Sequence, residues 1–265
     1  VSGILQLAFN AVDIIVVGRF SGSQALAAVG STTALINVFT NLFIGISLGA
    51  NVLAARFYAA GKDREMSETV HTSITLALIS GIMMAVIGVL LAKWALEIMG
   101  TPDDVIGQSA LYMRIYFMGM PFFMLYNYGA AILRAIGDTK RPLIFLIISG
   151  IANAALNMIL VILFHMGVAG VAIGTIISQL ISCVLVLTCL YRSEGSYQLR
   201  FSKLKINGAY MEQIFQVGVP AGIQSTVINL SNALLQSSVN SFGSIAMAGY
   251  TAANNILVFL YMSVN

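Results

Sequence analysis

The feature that most constrains this chain is a series of long apolar runs. A membrane-spanning helix needs about 20 mostly apolar residues, and none of the runs alternates with the two-residue period of a strand. We therefore predict an all-α, polytopic membrane helix bundle. Eight predicted spans, of which we expect the first and last to be incomplete, lie at about residues 1–20, 25–55, 70–97, 107–134, 141–164, 167–191, 214–241 and 245–265.

The composition excludes most other classes of protein. Hydrophobic residues make up 58% of the chain and charged residues only 9%, whereas a soluble domain carries about 25% charged residues. The net charge of +3 is not gathered into a basic stripe, so we expect no nucleic-acid partner. Cys183 and Cys189 lie in one apolar run and predict neither a disulfide framework nor a metal site. The expected partner of the surface is the lipid bilayer.

The distribution of basic residues predicts the orientation in the membrane. Cytoplasmic loops are enriched in Lys and Arg. The ends of spans two, four and six carry 10 of the 13 basic residues, and the opposite ends carry the other 3, which are Arg19, Lys93 and Arg114. We therefore predict that spans two, four and six end in the cytoplasm and that the N-terminus is cytoplasmic.

A polar stretch and a short repeat predict two lobes. Residues 192–213 are the most polar part of the chain and form a predicted cytoplasmic linker between an N-lobe of six spans, residues 1–191, and the start of a second lobe, residues 214–265. Residues 22–27 (GSQALA) resemble residues 243–248 (GSIAMA). A six-helix unit repeated in parallel is a transporter architecture. Because the chain begins at Val1 and ends inside an apolar run, we expect a fragment of a longer, twelve-span protein.

One acidic residue lies well inside a predicted span. Asp13 follows Gln6 and Asn10 at helical spacings of seven and three, so the three side chains form one polar stripe. A charge at membrane depth costs roughly 2.5 kcal/mol or more and normally marks an ion or proton path. The alternative is an Asp held neutral by hydrogen bonds between helices.

Polar and aromatic side chains in other spans suggest a cavity. Amide stripes can line an aqueous cavity or bond neighbouring helices, and Met and aromatic side chains can repack around apolar cations. The candidate residues for a substrate cavity are Gln6, Asn37, Asn41, Met120, Tyr126, Gln179, Gln224, Asn232 and Gln236.

Signatures of enzymes and nucleotide-driven pumps are missing from the sequence. The chain has no nucleophile with a base, no Walker-type phosphate loop and no dinucleotide fingerprint. We therefore expect no enzymatic activity, no cofactor and no bound metal. Any pumping would have to use an ion gradient.

Several motifs resemble the multidrug and toxic compound extrusion (MATE) family, in particular its bacterial DinF-like branch. These are residues 9–20 (FNAVDIIVVGRF) with 25–30 (ALAAVG), residues 134–140 (RAIGDTK) with Pro142, residues 167–170 (GVAG) and residues 219–224 (VPAGIQ). The resemblance covers essentially all 265 residues. It implies two six-helix lobes that alternate between outward- and inward-facing states.

The resemblance also implies a function and a set of ion-coupling residues. It implies export of organic, often cationic, compounds across the plasma membrane by a protein that is monomeric at full length, in exchange for protons or sodium ions. The resemblance assigns ion coupling to Asp13, Asn153 and Thr175. We add Asn10 from the polar stripe and Asn157, which stands one helical turn after Asn153. Family members often carry an acid at the position of Asn157, so its absence puts a sodium site in doubt and favours protons.

Two other functions remain open from the sequence. A lipid-linked oligosaccharide flippase of the same superfamily would need several basic residues inside its cavity to hold a pyrophosphate. Arg19 and Arg114 lie near the outer ends of their spans instead. A non-transporting membrane scaffold is the alternative from another class.

Overall fold

The computed structural model describes the backbone of residues 13–264 and the side chains of residues 13–254, 256 and 257. All regular structure in this part of the chain is helical, which confirms the predicted all-α bundle. The helices are α1 (residues 13–20), α2 (Gly22–Ala59), α3 (Asp63–Ile98), α4 (Asp103–Met118), α5 (Met120–Ala135), α6 (Lys140–Met158), α7 (Gly167–Arg192), α8 (Gly208–Asn240) and α9 (Ser244–Val264).

Four helical segments in the described part are long and apolar enough to cross a bilayer, namely Gly22–Ala59, Asp63–Ile98, Lys140–Leu163 and Gly167–Arg192. Their outward faces carry large exposed apolar side chains, among them Leu90 and Trp94 of α3, which are 72% and 58% exposed. A water-soluble protein rarely leaves such apolar surface uncovered. The bundle is therefore built for contact with lipid.

The predicted fourth span, residues 107–134, is broken at Gly119 into two helices of 16 residues each, α4 and α5. Pro121 lacks the N–H that would continue the helical ladder, so the helix restarts there. A Cβ atom at Gly119 would lie 2.7 Å from Oε1 of Gln179 in α7. The break therefore coincides with a close approach of α7, and a side chain at position 119 would have to displace Gln179.

A second irregularity follows α6. After Met158 the chain continues as a π-helix, Ile159–Leu163, before α7 begins. A π-helical turn contains an extra residue, and such turns are frequent at functional sites. This one begins two residues after Asn157, so the last α-helical turn of α6 carries a predicted site residue.

Helices α2 and α8 pack with their backbones in direct contact. A Cβ atom at Gly45 would lie 2.2 Å from Cα of Gly222, and one at Gly218 would lie 2.5 Å from Cα of Ile46. Gly45 and Gly49 are four residues apart, as are Gly218 and Gly222, which is the small-residue spacing that lets membrane helices approach closely. The second half of α2 is thereby joined to the first half of α8.

The other end of α8 is held by hydrogen bonds. Oγ of Ser237 and Nδ2 of Asn240 each donate to the backbone oxygen of Met99 at 3.1 Å. Met99 directly follows α3. Helix α8 therefore contacts the bundle of α2–α7 at both of its ends, and the division into lobes at residues 192–213 remains a prediction.

Candidate ion-coupling and substrate site

The site is built around Asp13, the first described residue of α1. Its side chain is partly buried, and its Oδ1 accepts a hydrogen bond from Nδ2 of Asn157 in α6. The donor is a neutral amide, so it stabilises the carboxylate without pairing its charge. Asp13 is thus the carboxyl group of the site, and no basic side chain pairs with it among the residues that line the cavities described below.

Three predicted residues form a chain of hydrogen bonds leading away from Asp13. Nδ2 of Asn157 also contacts Oδ1 of Asn153 at 3.3 Å, and Nδ2 of Asn153 donates to Oγ1 of Thr175 at 3.4 Å. Asn153 and Asn157 are one turn apart on α6, so their side chains lie on the same face. The structure thus brings together the predicted residues of α1, α6 and α7.

Asn157 fits into this site because α7 carries a glycine opposite to it. A Cβ atom at Gly174 would lie 2.1 Å from Oδ1 of Asn157. Asn157 is completely buried, and its Oδ1 has no hydrogen-bond partner among the described residues. The site therefore contains a buried acceptor beside a carboxylate.

A cavity of about 320 Å³, here named the inner cavity, opens beside Asp13 between α2 and α4–α7. It contains four of the predicted cavity residues and three members of the hydrogen-bond network. Oη of Tyr126 donates to the backbone oxygen of Pro142 at 3.1 Å, which fixes that ring in the wall. The predicted residues that line it are Asn37, Asn41, Tyr126, Gln179, Asp13, Asn153 and Thr175.

A second cavity of about 330 Å³, here named the α8-side cavity, also borders Asp13. Asn232 and Gln236 of α8 line it, as predicted from the sequence, and Gln236 is held by a hydrogen bond from its Nε2 to Oδ1 of Asn240 at 3.0 Å. Asp13 and Asn37 line both cavities. The carboxylate therefore lies where the two cavities meet.

Two predicted cavity residues lie elsewhere, and two predicted site residues fall outside the described part. Met120 is fully buried in the apolar core at the α4–α5 break, and Gln224 is exposed on α8; neither lines a cavity described above. Met120 is therefore corrected to a core residue, because the surroundings of a helical position depend on the neighbouring helices and not on residue type. The assignment of Gln224 to the cavity stays a prediction. Gln6 and Asn10 lie outside the described residues.

The structure adds two tyrosines that the sequence interpretation did not place at the site. Tyr112 lines the α8-side cavity and Tyr116 the inner cavity, and their rings stack with centroids 6.0 Å apart. They are one turn apart on α4, so they share a face. This four-residue spacing could have indicated a shared cavity wall from the sequence alone. A stripe of aromatic residues is equally typical of a packed core, so the spacing did not identify the site.

The electrostatics of both cavities are simple. Among the side chains that line them, Asp13 is the one that carries a formal charge, and the others are amides, hydroxyls and apolar or aromatic groups. No cluster of three or more His, Cys, Asp or Glu residues occurs within the described part of the chain. Such a site can bind a cation or exchange a proton at a single carboxylate.

Comparison with known proteins identifies the family. The MatE family model matches residues 1–159, which is more than half of the chain. The chain belongs to the MATE family. It is 33% identical over 98% of its length to the probable multidrug resistance protein YoeA of Bacillus subtilis (strain 168), and it covers 58% of that protein. It is 25% identical over 98% of its length to the multidrug export protein MepA of Staphylococcus haemolyticus (strain JCSC1435), and it covers 57% of it.

Solved MATE structures share the fold. The MATE multidrug transporter DinF-BH superposes with a TM-score of 0.90 at 22% identity, over 99% of this chain and 59% of that one. An inward-facing MATE family transporter superposes with a TM-score of 0.87 at 22% identity, over 97% of this chain and 57% of that one. The chain thus spans somewhat more than half the length of its relatives, and it is a multi-pass membrane protein of a multidrug efflux family.

Proposed function

We propose that the full-length protein is an ion-coupled antiporter that exports organic, often cationic, compounds across the plasma membrane. The observation that carries this proposal is the position of Asp13, whose carboxylate lies where two cavities meet and is bound by a neutral amide. An antiporter needs a group that the coupling ion and the substrate can reach in turn. The position of Asp13 beside both cavities supports that role for its carboxyl group.

The lining of the cavities supports cationic substrates. The inner cavity presents the rings of Tyr116, Phe123 and Tyr126, and its formal charge is the single negative charge of Asp13. Aromatic faces attract organic cations, by about 2 kcal/mol or more where water is excluded. An anionic substrate would meet no compensating basic side chain among the lining residues.

The same observation weighs against the flippase alternative. A pyrophosphate would require Lys or Arg in the cavity wall, and neither occurs among the residues that line the two described cavities. A non-transporting scaffold would not need a carboxylate at a cavity junction. We therefore favour transport over both alternatives. A monomer without a bound cofactor is part of the proposal for the full-length protein.

We propose the proton as the coupling ion. Charged Asp13 accepts a hydrogen bond from Nδ2 of Asn157, whereas protonated Asp13 would carry an O–H that needs an acceptor. Rotating the amide of Asn157 by half a turn would offer its unpartnered Oδ1 to that O–H. Protonation would therefore reverse the hydrogen bond between α1 and α6, so that Asp13 becomes the donor and Asn157 the acceptor.

This exchange provides a mechanism for coupling. Proton uptake from the outside would neutralise Asp13, weaken its attraction for a cationic substrate and favour substrate release. The neutral side chain would tolerate the membrane interior during the change of state. Proton release to the cytoplasm would restore the charge and the affinity for the next substrate.

The test is ethidium efflux by the full-length protein in proteoliposomes under an imposed pH gradient. We expect Asp13→Asn to abolish gradient-driven efflux while the protein still inserts and elutes as wild type, and Asp13→Glu to keep partial activity. Asp104→Asn is the matched control, because Asp104 is exposed at the start of α4 and lines neither cavity. Unchanged efflux in Asp13→Asn would contradict the proposal, and efflux driven only by a sodium gradient would contradict its proton part.

A further inference from the structure

A third cavity in the described part of the chain lies outside the transport site. It has a volume of about 690 Å³ and is formed by the first turns of α3 and the segment that leads into α8. This volume falls within the range of roughly 300–1,000 Å³ that is typical of small-molecule sites. We name it the linker cavity. Its charged and hydrogen-bonding lining residues include Arg64, Glu68, His71, Lys203, Lys205 and Asn207.

The charge of the linker cavity is positive. Oε1 of Glu68 lies 3.1 Å from Nε of Arg64, and Oε2 of Glu68 accepts a hydrogen bond from Nδ2 of Asn207 at 2.6 Å. Both carboxylate oxygens are thus engaged. Lys203 and Lys205 are exposed and form no ion pair with any acid in the described part. Two positive charges therefore remain without compensation at this cavity.

Hydrogen bonds hold the walls of the cavity together. The backbone N–H of Arg200 donates to Nε2 of His71 at 3.1 Å, and the N–H of Asn207 donates to Oγ1 of Thr72 at 3.1 Å. Oγ1 of Thr72 in turn donates to the backbone oxygen of Lys205 at 3.4 Å. The segment that carries both lysines is therefore fixed on α3, and the cavity exists before any ligand binds.

The start of α8 adds to the positive potential. Gly208 is the first residue of this 33-residue helix and lines the cavity, and Asn207 caps the helix by accepting from the N–H of Ala209 at 3.1 Å. The N-terminal end of a helix carries a partial positive charge and binds anions. An anion in the linker cavity would meet the helix end and the two lysines together.

An exposed aromatic pair lies next to this segment. Tyr191, near the end of α7, stacks on Phe201 with ring centroids 5.8 Å apart, and each side chain is 53% exposed. Exposed aromatic rings at the ends of membrane helices are typical of the membrane–water interface. Phe201 is two residues from Lys203, and from this we infer that the basic cavity opens near the membrane–water interface.

We propose that the linker cavity binds the phosphate of an anionic lipid headgroup, with Lys203 and Lys205 as its principal ligands. Basic pockets between membrane helices on the cytoplasmic side are suited to this chemistry. The bound lipid would neutralise the two lysines and hold the start of α8 against α3. This site is independent of the antiport activity proposed above, because it shares no lining residue with the cavities at Asp13.

The test measures lipid retention by the full-length protein in detergent, by native mass spectrometry after addition of phosphatidylglycerol or phosphatidylcholine. The Lys203→Gln/Lys205→Gln double variant should retain about tenfold less phosphatidylglycerol than wild type. The matched control is Lys62→Gln/Lys140→Gln, which removes the same charge from exposed lysines that do not line the cavity. Wild type should prefer phosphatidylglycerol to phosphatidylcholine, and the control variant should keep that preference.

Three outcomes would overturn the proposal. Equal losses in the two double variants would show that only the net charge of the surface matters. Unchanged retention in Lys203→Gln/Lys205→Gln would place any bound lipid elsewhere. Retention of inorganic phosphate in the cavity without any specific retention of phosphatidylglycerol would show that the cavity takes a free phosphate and not a lipid. All variants lie on exposed side chains, and size-exclusion profiles check that each remains folded.

Discussion

Nδ2 of Asn157 donates a hydrogen bond to Oδ1 of Asp13, although the two residues are 144 positions apart in the chain. This contact joins α1 to the last α-helical turn of α6. It also places the buried, unpartnered Oδ1 of Asn157 beside the one charged group of the two cavities. Five predictions concern this contact, the packing of the helices and the orientation of the bundle.

The first prediction concerns Asn157 itself. Asn157→Leu removes both the donor to charged Asp13 and the acceptor for its protonated form, so gradient-driven efflux should fall about tenfold or more. Asn127→Leu is the control, because Asn127 donates only to the backbone oxygen of Phe123 within its own helix. Transport assays in proteoliposomes measure the difference. Equal effects of the two substitutions would show that the amide of Asn157 has no special role.

A second substitution at the same position tests the choice of ion. Asn157→Asp would place two carboxylates within hydrogen-bond distance, and like charges so close cannot both remain ionised without a bound cation or proton. We expect efflux by this variant to be stimulated by a sodium gradient at constant pH, whereas wild type is not. Sodium dependence in wild type would contradict the proton assignment.

The third prediction concerns Gly174. A Cβ atom at this position would lie 2.1 Å from Oδ1 of Asn157. Gly174→Ala must therefore displace either α7 or the side-chain amide of Asn157. We expect a loss of about 1–3 kcal/mol in stability, as is usual for overpacking, together with reduced efflux. Gly107→Ala, where nothing lies within 4 Å of the added Cβ, should leave the melting temperature unchanged or slightly raised. Thermal unfolding in detergent distinguishes the two variants, and similar melting temperatures would argue against a close Gly174–Asn157 contact.

The fourth prediction tests the contact between α2 and α8 by separating the two helices. A Cβ atom at Gly222 would lie 2.5 Å from the backbone oxygen of Leu42, so Gly222→Ala should push α8 away from α2. Spin labels at the exposed Val52 and Val217 should then report a longer distance than in the protein with Gly222. Gly249→Ala in α9, which has open space around it, is the control. Identical distance distributions in the two variants would exclude a tight glycine contact.

The orientation in the membrane is the fifth prediction. In a background with both native cysteines changed to serine, a cysteine at position 103 should react with a membrane-impermeant reagent added to intact cells. A cysteine at position 140 should not react, because the basic residues predict a cytoplasmic position for Lys140. Reaction at position 140 would reverse the predicted topology.

The helical fold of this protein can be predicted from the sequence because long apolar segments in lipid have to be helical. Every buried polar backbone group must be bonded within its own segment, so runs of about 20 apolar residues can only be helices. The same cost of charge in lipid made Asp13 stand out, and the alternation of basic residues predicted the direction of each span. These inferences need no knowledge of which helices are neighbours.

The tertiary structure decided what depends on neighbours. Met120 and Tyr126 come from the same aromatic and Met-rich stretch, yet Met120 lies in the core and Tyr126 in the cavity wall. Helical spacing relates residues on one helix but does not state which helix they face. The partner of Asn157 and the need for glycine at position 174 are set by the distances between α1, α6 and α7. Those distances result from packing across the bundle, which no local pattern of residues encodes.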